Sequence, residues 1–324
     1  MKKFLLNFLR LGISAGLIGY LIYIADLPEI FDLMGSMNLA GLALAFAAFF
    51  LSIILLAFRW HLLNVSYGIQ TSLNKLTVFY LIGQFFNNFL PTSIGGDLAR
   101  AYYLAKDSGE KSASVGTVLL ERVIGLLATL SLAFISLFWL MKYFHTRRII
   151  YITVIVLSII AAFLMSIMSR RIYRKFSKLL SLITFYQIGD KIVKVMDTLH
   201  YYRDKKVVLF GTYLYSLSAQ FILIVMNYIL ARALGLNEIS FGYLILVVPV
   251  TFVIGLLPSI NGIGVRDTGY ILLLGRIGLE PSQILSLSFS VTIIPILISL
   301  IGGVYFLIYR QKGIEAPLLD EERI

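Results

Sequence analysis

The chain has 324 residues, of which 59% are hydrophobic and 14% are charged, and its formal net charge is +11. Soluble domains carry about 25% charged residues, so this composition excludes an ordinary soluble protein. The apolar residues form runs of about 17–28, the length of helices that cross a bilayer. An outer-membrane barrel would instead show alternating segments of about ten residues. The sequence therefore predicts an all-α polytopic membrane protein.

Several kinds of chemistry are excluded by what the chain lacks. It has no cysteine, which rules out disulfides, thiolate metal sites and thiol nucleophiles. Its histidines, His61, His145 and His200, lie far apart in the sequence, so we expect no metal and no cofactor. The positive charge is typical of cytoplasmic loops that face anionic lipid, and we expect membrane lipids, not nucleic acid, as partners.

The first two spans are predicted from hydropathy and from the positions of lysine and arginine. The first helix is expected at about 8–25 and is retained, because Arg10 interrupts the apolar core that a signal peptide would need. An acidic loop follows on the outer side. A second helix, at about 39–58, returns to Arg59 and Lys75 on the cytoplasmic side.

Further spans are predicted at about 115–141, 149–168, 207–234 and 282–309. Between the second and third of these, residues 169–206 hold ten Lys/Arg against three Asp. Apolar residues recur there at helical spacing, which predicts an amphipathic helix on the cytoplasmic membrane surface. Two interpretations stay open: a charged linker that sets the topology, or a segment that recognises anionic headgroups.

Two segments between these spans must return to the side from which they enter. The segment at about 77–104 begins and ends beside cytoplasmic lysines, and the segment at about 241–275 begins and ends outside. We therefore predict about six full transmembrane helices plus two re-entrant, broken helical hairpins that enter from opposite faces. Opposed broken helices are typical of the inverted repeats of transporters.

This topology predicts a single membrane domain over 1–324 that consists of two halves. A first half, 1–168, contains the first hairpin, and a second half, 207–312, contains the other. The basic segment joins the halves, and 313–324 form a short tail. Both termini are expected in the cytoplasm, at the cytoplasmic membrane.

The hairpins are predicted to break at two similar stretches, "FLPTSIGGDLARAYYL" from Phe89 and "LLPSINGIGVRDTGYILL" from Leu256. Proline and glycine interrupt a helix, and unpaired backbone inside a membrane is tolerated where it is buried in protein or lines a wet cavity. The helices that restart after the glycines would direct their N-termini at the break, where anions bind. Corresponding breaks in two halves indicate a substrate site at mid-membrane.

The candidate substrate-binding residues are the polar residues and glycines of the two breaks, with two charged residues of the following helix. They are Asn87, Asn88, Thr92, Gly95, Gly96, Asp97, Arg100, Glu121, Arg122, Ser259, Asn261, Gly262, Gly264, Arg266 and Asp267. A charge inside the membrane costs on the order of 2.5–3.5 kcal/mol, so each must have a partner or a function. Asp97 with Arg100, and Arg266 with Asp267, could pair structurally or contact substrate directly. Glu121 and Arg122 could instead pair with Arg100 or Asp97. No catalytic residue is predicted.

The stretches "GGDLARAYYL", "ERVIGLL" and "GIGVRDTGYILL" resemble the membrane domain of lysylphosphatidylglycerol synthases and its stand-alone, flippase-like relatives. Asp97 and Arg100 match the acidic residue and arginine that follow the family's paired glycines. The family's second glycine-rich motif is matched by Gly262, Gly264, Arg266 and Asp267. Asn261 and Asp267 stand where the family usually has glycine and glutamate.

The resemblance implies a protein that translocates a phospholipid or lipid-linked headgroup without synthesising it, because the synthases' soluble domain is missing from this sequence. Conduction of small ions or solutes stays open at this point, and so do two other functions. One is an intramembrane enzyme acting on a lipid-linked substrate, with Asp97, Glu121 or Asp267 as acid or base. The other is a membrane scaffold without catalytic activity that supports a separate synthase.

Overall fold

A computed structural model describes residues 19–21, 23–89, 95–140, 154–155, 158, 188–255, 262 and 264–311. All the regular secondary structure in these residues is helical, which confirms the predicted all-α class. The predicted tail, most of the first span, most of the span at 149–168 and the first half of the basic segment, 169–187, lie outside the described residues. The expected count of six full spans therefore stays a prediction.

The described helices are numbered in chain order. The first half contributes α1 (Leu27–Gly35), α2 (Leu39–Tyr67), α3 (Leu73–Phe89), α4 (Gly95–Ser108) and α5 (Lys111–Leu140). The basic segment contributes α6 (Ile188–Tyr201), and the second half contributes α7 (Lys206–Ala233), α8 (Phe241–Ile254), α9 (Val265–Leu274) and α10 (Pro281–Gln311). Short 3₁₀ turns lie at Tyr202–Asp204 and Gly275–Ile277. Among the described helices, α2, α5, α7 and α10 are long and apolar enough to cross a membrane.

Helix α2 is longer than the predicted span at 39–58, and this corrects the interpretation of Arg59. That residue was expected to mark the cytoplasmic end of the helix, but it lies inside α2 and is buried. The helix continues because apolar residues resume with Trp60. It ends before Gly68, whose φ of 101° is the left-handed conformation that commonly terminates helices.

Helices α2 and α7 pack antiparallel along most of their length. At one end the Asn38 backbone N–H donates to the Ala233 carbonyl at 3.0 Å. At the other end the Tyr202 hydroxyl donates to the Leu63 carbonyl at 2.7 Å. The end of α2 therefore lies beside the start of α7. This end carries Lys75 and Lys206, and from the distribution of basic residues we expect it to face the cytoplasm.

Helices α3 and α4 form the first predicted hairpin. Lys75 pairs with Asp107 at 2.5 Å where the hairpin opens. Further along, the rings of Phe79 and Tyr103 lie 5.7 Å apart. Near the tip, the Asn87 side chain accepts a hydrogen bond from the Gly96 backbone N–H at 2.9 Å. The contacts run in antiparallel order, so this segment enters the bundle and returns as predicted.

Helices α8 and α9 form the second hairpin in the same way. The Tyr243 hydroxyl donates to the Leu273 carbonyl at 2.8 Å near its open end. Towards its tip, Gly269 lies against Thr251 and Ile254. Gly262 and Gly264, at the turn, have positive φ, which glycine adopts without strain.

The two hairpins enter from opposite ends of the bundle. Tyr309, at the C-terminal end of α10, contacts the open end of the first hairpin through the rings of Phe79 and Tyr103. The second hairpin instead leads through Gly275–Ile277 into the N-terminal end of α10 at Pro281. The opposed entry that the sequence predicted is therefore observed, whereas a symmetry relation between the two halves stays a prediction.

Both tips reach the middle of α10. The Asn88 side-chain amide of the first hairpin donates to the Pro295 carbonyl at 3.5 Å. The Arg266 guanidinium, at the start of α9, donates to the Thr292 hydroxyl. Thr292 and Pro295 are separated by a rise of about 4.5 Å along a helix. The two chain breaks therefore lie at nearly the same depth.

Because the chain has no cysteine, single introduced thiols can report which end faces which side. We expect Ser72→Cys and Glu238→Cys, both at exposed positions, to react from opposite sides of the membrane. An impermeant maleimide added to intact cells should label Glu238→Cys, and Ser72→Cys should react after permeabilisation. The unmodified chain is the background control, and labelling of both variants in intact cells would contradict the described topology.

Candidate functional site

A buried carboxylate on α5 ties four helices together. Glu121 is fully buried and accepts hydrogen bonds from three donors. The Tyr80 hydroxyl of α3 lies 2.6 Å from its Oε1 and the Arg100 guanidinium of α4 lies 2.8 Å from its Oε2. Arg59 of α2 pairs with Oε1 as well. These bonds supply the partners without which a charge inside a membrane is costly.

A second carboxylate, Asp97, lies next to this group in the first turn of α4. It pairs with Arg100 at 2.6 Å and with Arg122 of α5. The guanidinium of Arg100 therefore bridges Glu121 and Asp97. The two carboxylates and their partners are five charged side chains: Arg59, Arg100, Arg122, Asp97 and Glu121. They hold three positive and two negative charges, a net charge of +1. Arg122 is the most accessible of the five, with 41% of its side chain exposed. We call these five residues the arginine–carboxylate group.

Aromatic rings pack against the buried Arg100. Its guanidinium carbon lies 4.2 Å from the centroid of the Tyr80 ring and 5.3 Å from that of Trp60. Rings at this distance attract a cation through their quadrupole. The Trp60 indole N–H in turn donates to Thr117 at 3.3 Å. The guanidinium is thus held in position by charge, hydrogen bonds and ring contacts.

Glycines allow the first hairpin to bring these charges together. A Cβ on Gly96 would lie against the Gly83 carbonyl oxygen and the Asn87 side chain. A Cβ on Gly83 would in turn collide with the Arg100 side chain. The helices α3 and α4 therefore approach closely at this level because glycine has no side chain.

The tip of the second hairpin is built around Asp267. Its side chain accepts from the Gly264 backbone N–H at 2.8 Å and from the Ser288 hydroxyl of α10. The first contact caps the N-terminus of α9. Asp267 is buried and is satisfied by these neutral donors.

Arg266 does not pair with Asp267, so the structure contradicts the alternative in which these neighbours balance each other. Among the described residues Arg266 makes no ion pair with a carboxylate. Its guanidinium donates to Thr292, and its buried Nε has no hydrogen-bond partner there. Adjacent residues of a helix do not face each other, which accounts for the separation. Arg266 thus keeps a positive charge available at the level of the two breaks.

The predicted residues fall into two groups that both reach α10. The first group contains the charged residues Glu121, Arg122, Asp97 and Arg100, which contact one another as expected if Glu121 and Arg122 pair with Arg100 and Asp97. The hairpin beside them contains Asn87, Gly95 and Gly96. Gly262, Gly264, Arg266 and Asp267 form the second tip. Thr92, Ser259 and Asn261 lie outside the described residues, and a role in substrate binding stays a prediction for all of these positions.

The sequence analysis missed several residues that complete the two groups. They are Arg59, Tyr80 and Ser216, which accepts from Arg59 at 2.7 Å, and the two partners on α10, Ser288 and Thr292. Sequence reasoning places Arg59 at the end of a span, because a basic residue after an apolar run usually marks that end and the stretch that follows it, WHLLNVSY, is only partly apolar. The hydroxyl residues carried no signal, since serine and threonine are common in membrane helices and often bond their own backbone.

The arrangement leaves positive charge at the level of the two breaks. The carboxylates accept hydrogen bonds from guanidinium, hydroxyl or backbone donors. Arg122 is partly exposed, and the buried Nε of Arg266 has no hydrogen-bond partner among the described residues. Within the described ranges no three His, Asp or Glu side chains come together as a metal-binding group.

Removal of the central carboxylate should destabilise the bundle. In Glu121→Gln, the buried Arg59 and Arg100 lose their shared countercharge, and we expect a loss of about 3–5 kcal/mol in stability. The more exposed pair of Arg122 should contribute less, about 0–1 kcal/mol, in Arg122→Gln. Thermal melting of detergent-purified protein, followed by fluorescence-detected size exclusion, measures both. Equal melting temperatures for wild type and Glu121→Gln would show that the network does not support the fold.

A methyl group at the hairpin contact should also be disruptive. We expect Gly96→Ala to lower the melting temperature by about 5 °C or more, because the new Cβ would meet the backbone of Gly83, which cannot move aside as a flexible side chain can, in addition to the Asn87 side chain. Gly211→Ala is the matched control, since it lies in α7 with open space around its Cβ position. The control should be neutral or slightly stabilised, as alanine favours a helix over glycine. Unchanged melting of Gly96→Ala would refute the close approach.

Comparison with known proteins identifies relatives that cover most of the chain. A UPF0104 membrane protein of Methanocaldococcus jannaschii is 30% identical over 244 residues, which cover 72% of this chain and 97% of that protein. Another from the same organism is 28% identical over 88% of this chain and 90% of its own length. A UPF0104 membrane protein of Pyrococcus horikoshii is 24% identical over 96% of this chain and 98% of its own. No solved structure matches. Residues 7–303 match the family described as the lysylphosphatidylglycerol synthase TM region, and the chain belongs to this family of multi-pass membrane proteins.

Proposed function

We propose that this protein translocates a phospholipid or a lipid-linked headgroup across the cytoplasmic membrane. The observation that carries the proposal is the meeting of two broken hairpins, from opposite ends of the bundle, within one turn of α10. Transporters commonly bind their substrates between such opposed, interrupted helices near the midplane. The described tips therefore mark the place where a polar headgroup would cross the apolar layer.

The charges at this level favour an anionic headgroup. The arginine–carboxylate group carries a net positive charge, and Arg266 adds another without a carboxylate partner among the described residues. The N-termini of α4 and α9 lie at the breaks, where helix dipoles favour negative charge. The family's name refers to the synthase of a phospholipid, which supports a lipid as the substrate.

The same geometry weighs against an intramembrane enzyme. A general base needs a carboxylate that is free to accept a proton from substrate. Glu121 is engaged by three donors and Asp267 by two. Asp97 is held between two guanidinium groups. We therefore favour transport over catalysis for these side chains.

Arg266 gives the most direct test of the headgroup assignment. Lysine keeps the charge but loses the planar fork that binds phosphate with two hydrogen bonds. We expect Arg266→Lys to slow translocation about tenfold or more while the melting temperature changes little. Arg266→Gln should slow it further. The measurement is dithionite quenching of fluorescent phosphatidylglycerol, phosphatidylethanolamine or a polyprenyl phosphate in proteoliposomes.

Arg232→Gln is the matched control, because this arginine lies near the outer end of α7 and bonds Asn237 locally. It should leave translocation unchanged. If wild-type protein moves none of the three lipids above the rate of empty liposomes, the translocase proposal fails. If wild type is active and Arg266→Gln is equally active, Arg266 is not the headgroup site although translocation stands.

A further inference from the structure

A cavity of about 320 Å³ opens between α5 and α7 at the cytoplasmic half of the bundle. Its walls come from α5, the end of α6, the following 3₁₀ turn and the start of α7. Apolar side chains form most of the lining, and the two basic residues in it are Arg203 and Lys206. None of these side chains belongs to the arginine–carboxylate group or to the second hairpin.

The cavity has charged residues at its rim and apolar residues deeper inside. Lys206 is the first residue of α7, at the end where the span begins. Tyr213, two turns further along α7, also lines the cavity, so the space extends about 10 Å from the basic rim along the helix. Phe210, on the same wall, is 63% exposed and faces outward. The cavity is therefore accessible from the surrounding membrane.

The rim carries excess positive charge. Arg203 and Lys206 line it and Lys205 adjoins it, while Asp204 is the one acidic residue of the turn. Asp204 bonds Arg203 at 3.0 Å but is itself 75% exposed, so the pair is open to competing anions. The cytoplasmic leaflet, which this end is expected to face, is the one that carries anionic lipid.

The shape and charge of the space favour a slender amphipathic occupant with an anionic head. A single acyl chain is slender and flexible enough to enter. A phospholipid also places its phosphate at the membrane interface with its chains directed inward, the same order in which the rim and the apolar walls are arranged.

We propose that this cavity binds one acyl chain of an anionic phospholipid whose phosphate is held by Arg203 and Lys206. The floor of the site is fixed by Tyr202, a buried residue whose hydroxyl is bonded to the Leu63 carbonyl. Leu120 and Ile124 line the cavity on α5, on either side of Glu121 in sequence. The lipid would thus lie against the outside of the helix turn that carries the central carboxylate. The proposal concerns equilibrium binding and does not depend on translocation.

An introduced tryptophan at the cavity edge can report the lipid locally. In Phe210→Trp protein, phosphatidylglycerol with brominated chains should quench the added fluorescence at about tenfold lower mole fraction than brominated phosphatidylcholine. In Phe210→Trp combined with Arg203→Gln and Lys206→Gln this preference should disappear. Combination with Lys111→Gln and Arg310→Gln, two exposed basic residues at the same end that do not line the cavity, should preserve it.

A second reporter separates a specific site from ordinary contact with bulk lipid. Val304→Trp, at an exposed position on α10, should be quenched equally by the two lipids. Equal quenching at Phe210→Trp, or a preference that survives the Arg203→Gln/Lys206→Gln change, would overturn the proposal. So would the absence of quenching at that position, which would show that another segment or a second copy of the chain covers the cavity. Size exclusion and melting of each variant establish that it is folded.

Discussion

The structure depends on the cost of placing charge in a membrane. Glu121 is fully buried, and the low dielectric that would make it costly alone also makes its bonds to Tyr80, Arg59 and Arg100 strong. Because these partners come from separate helices, satisfying one carboxylate fixes the relative positions of α2, α3, α4 and α5. The close approach of the glycines in α3 and α4 follows from the same requirement.

The second half reaches the same depth by a different arrangement. Asp267 caps its own helix and bonds a serine of α10, so its charge is satisfied without an arginine. Arg266 is left to face Thr292. The two hairpins therefore share a sequence pattern but differ in their electrostatics: Arg100 is bound by carboxylates, whereas Arg266 has no carboxylate partner among the described residues. Under the proposed function, this difference makes Arg266, rather than Arg100, the arginine better placed to exchange its present contacts for those of a ligand.

The sequence predicts the arrangement of the helices more completely than it predicts the contacts between their side chains. Proline and glycine at corresponding places, combined with the distribution of lysine and arginine, predicted two hairpins entering from opposite sides, and both are observed. The role of Arg59 could not be predicted in the same way, because a basic residue after an apolar run usually marks the end of a span. Its burial depends on Glu121, which is 62 residues away in the chain. Arg266 and Asp267 are adjacent in the sequence, but neighbouring residues of a helix do not face each other. Each of the two side chains bonds a different residue of α10 instead.

The position of Pro295 has a mechanical consequence for the two halves. Proline has no backbone N–H, so the carbonyl of Val291, four residues earlier, lacks its usual helical donor and α10 is weakest against bending there. On one side of this point Ser288 and Thr292 hold the second hairpin, and on the other Gly302 packs against the backbone of Leu81 in the first. A bend at this proline would therefore tilt one hairpin against the other while each kept its own attachment. If the protein translocates lipid as proposed, this joint in the last helix would let the midplane open to the two sides in turn.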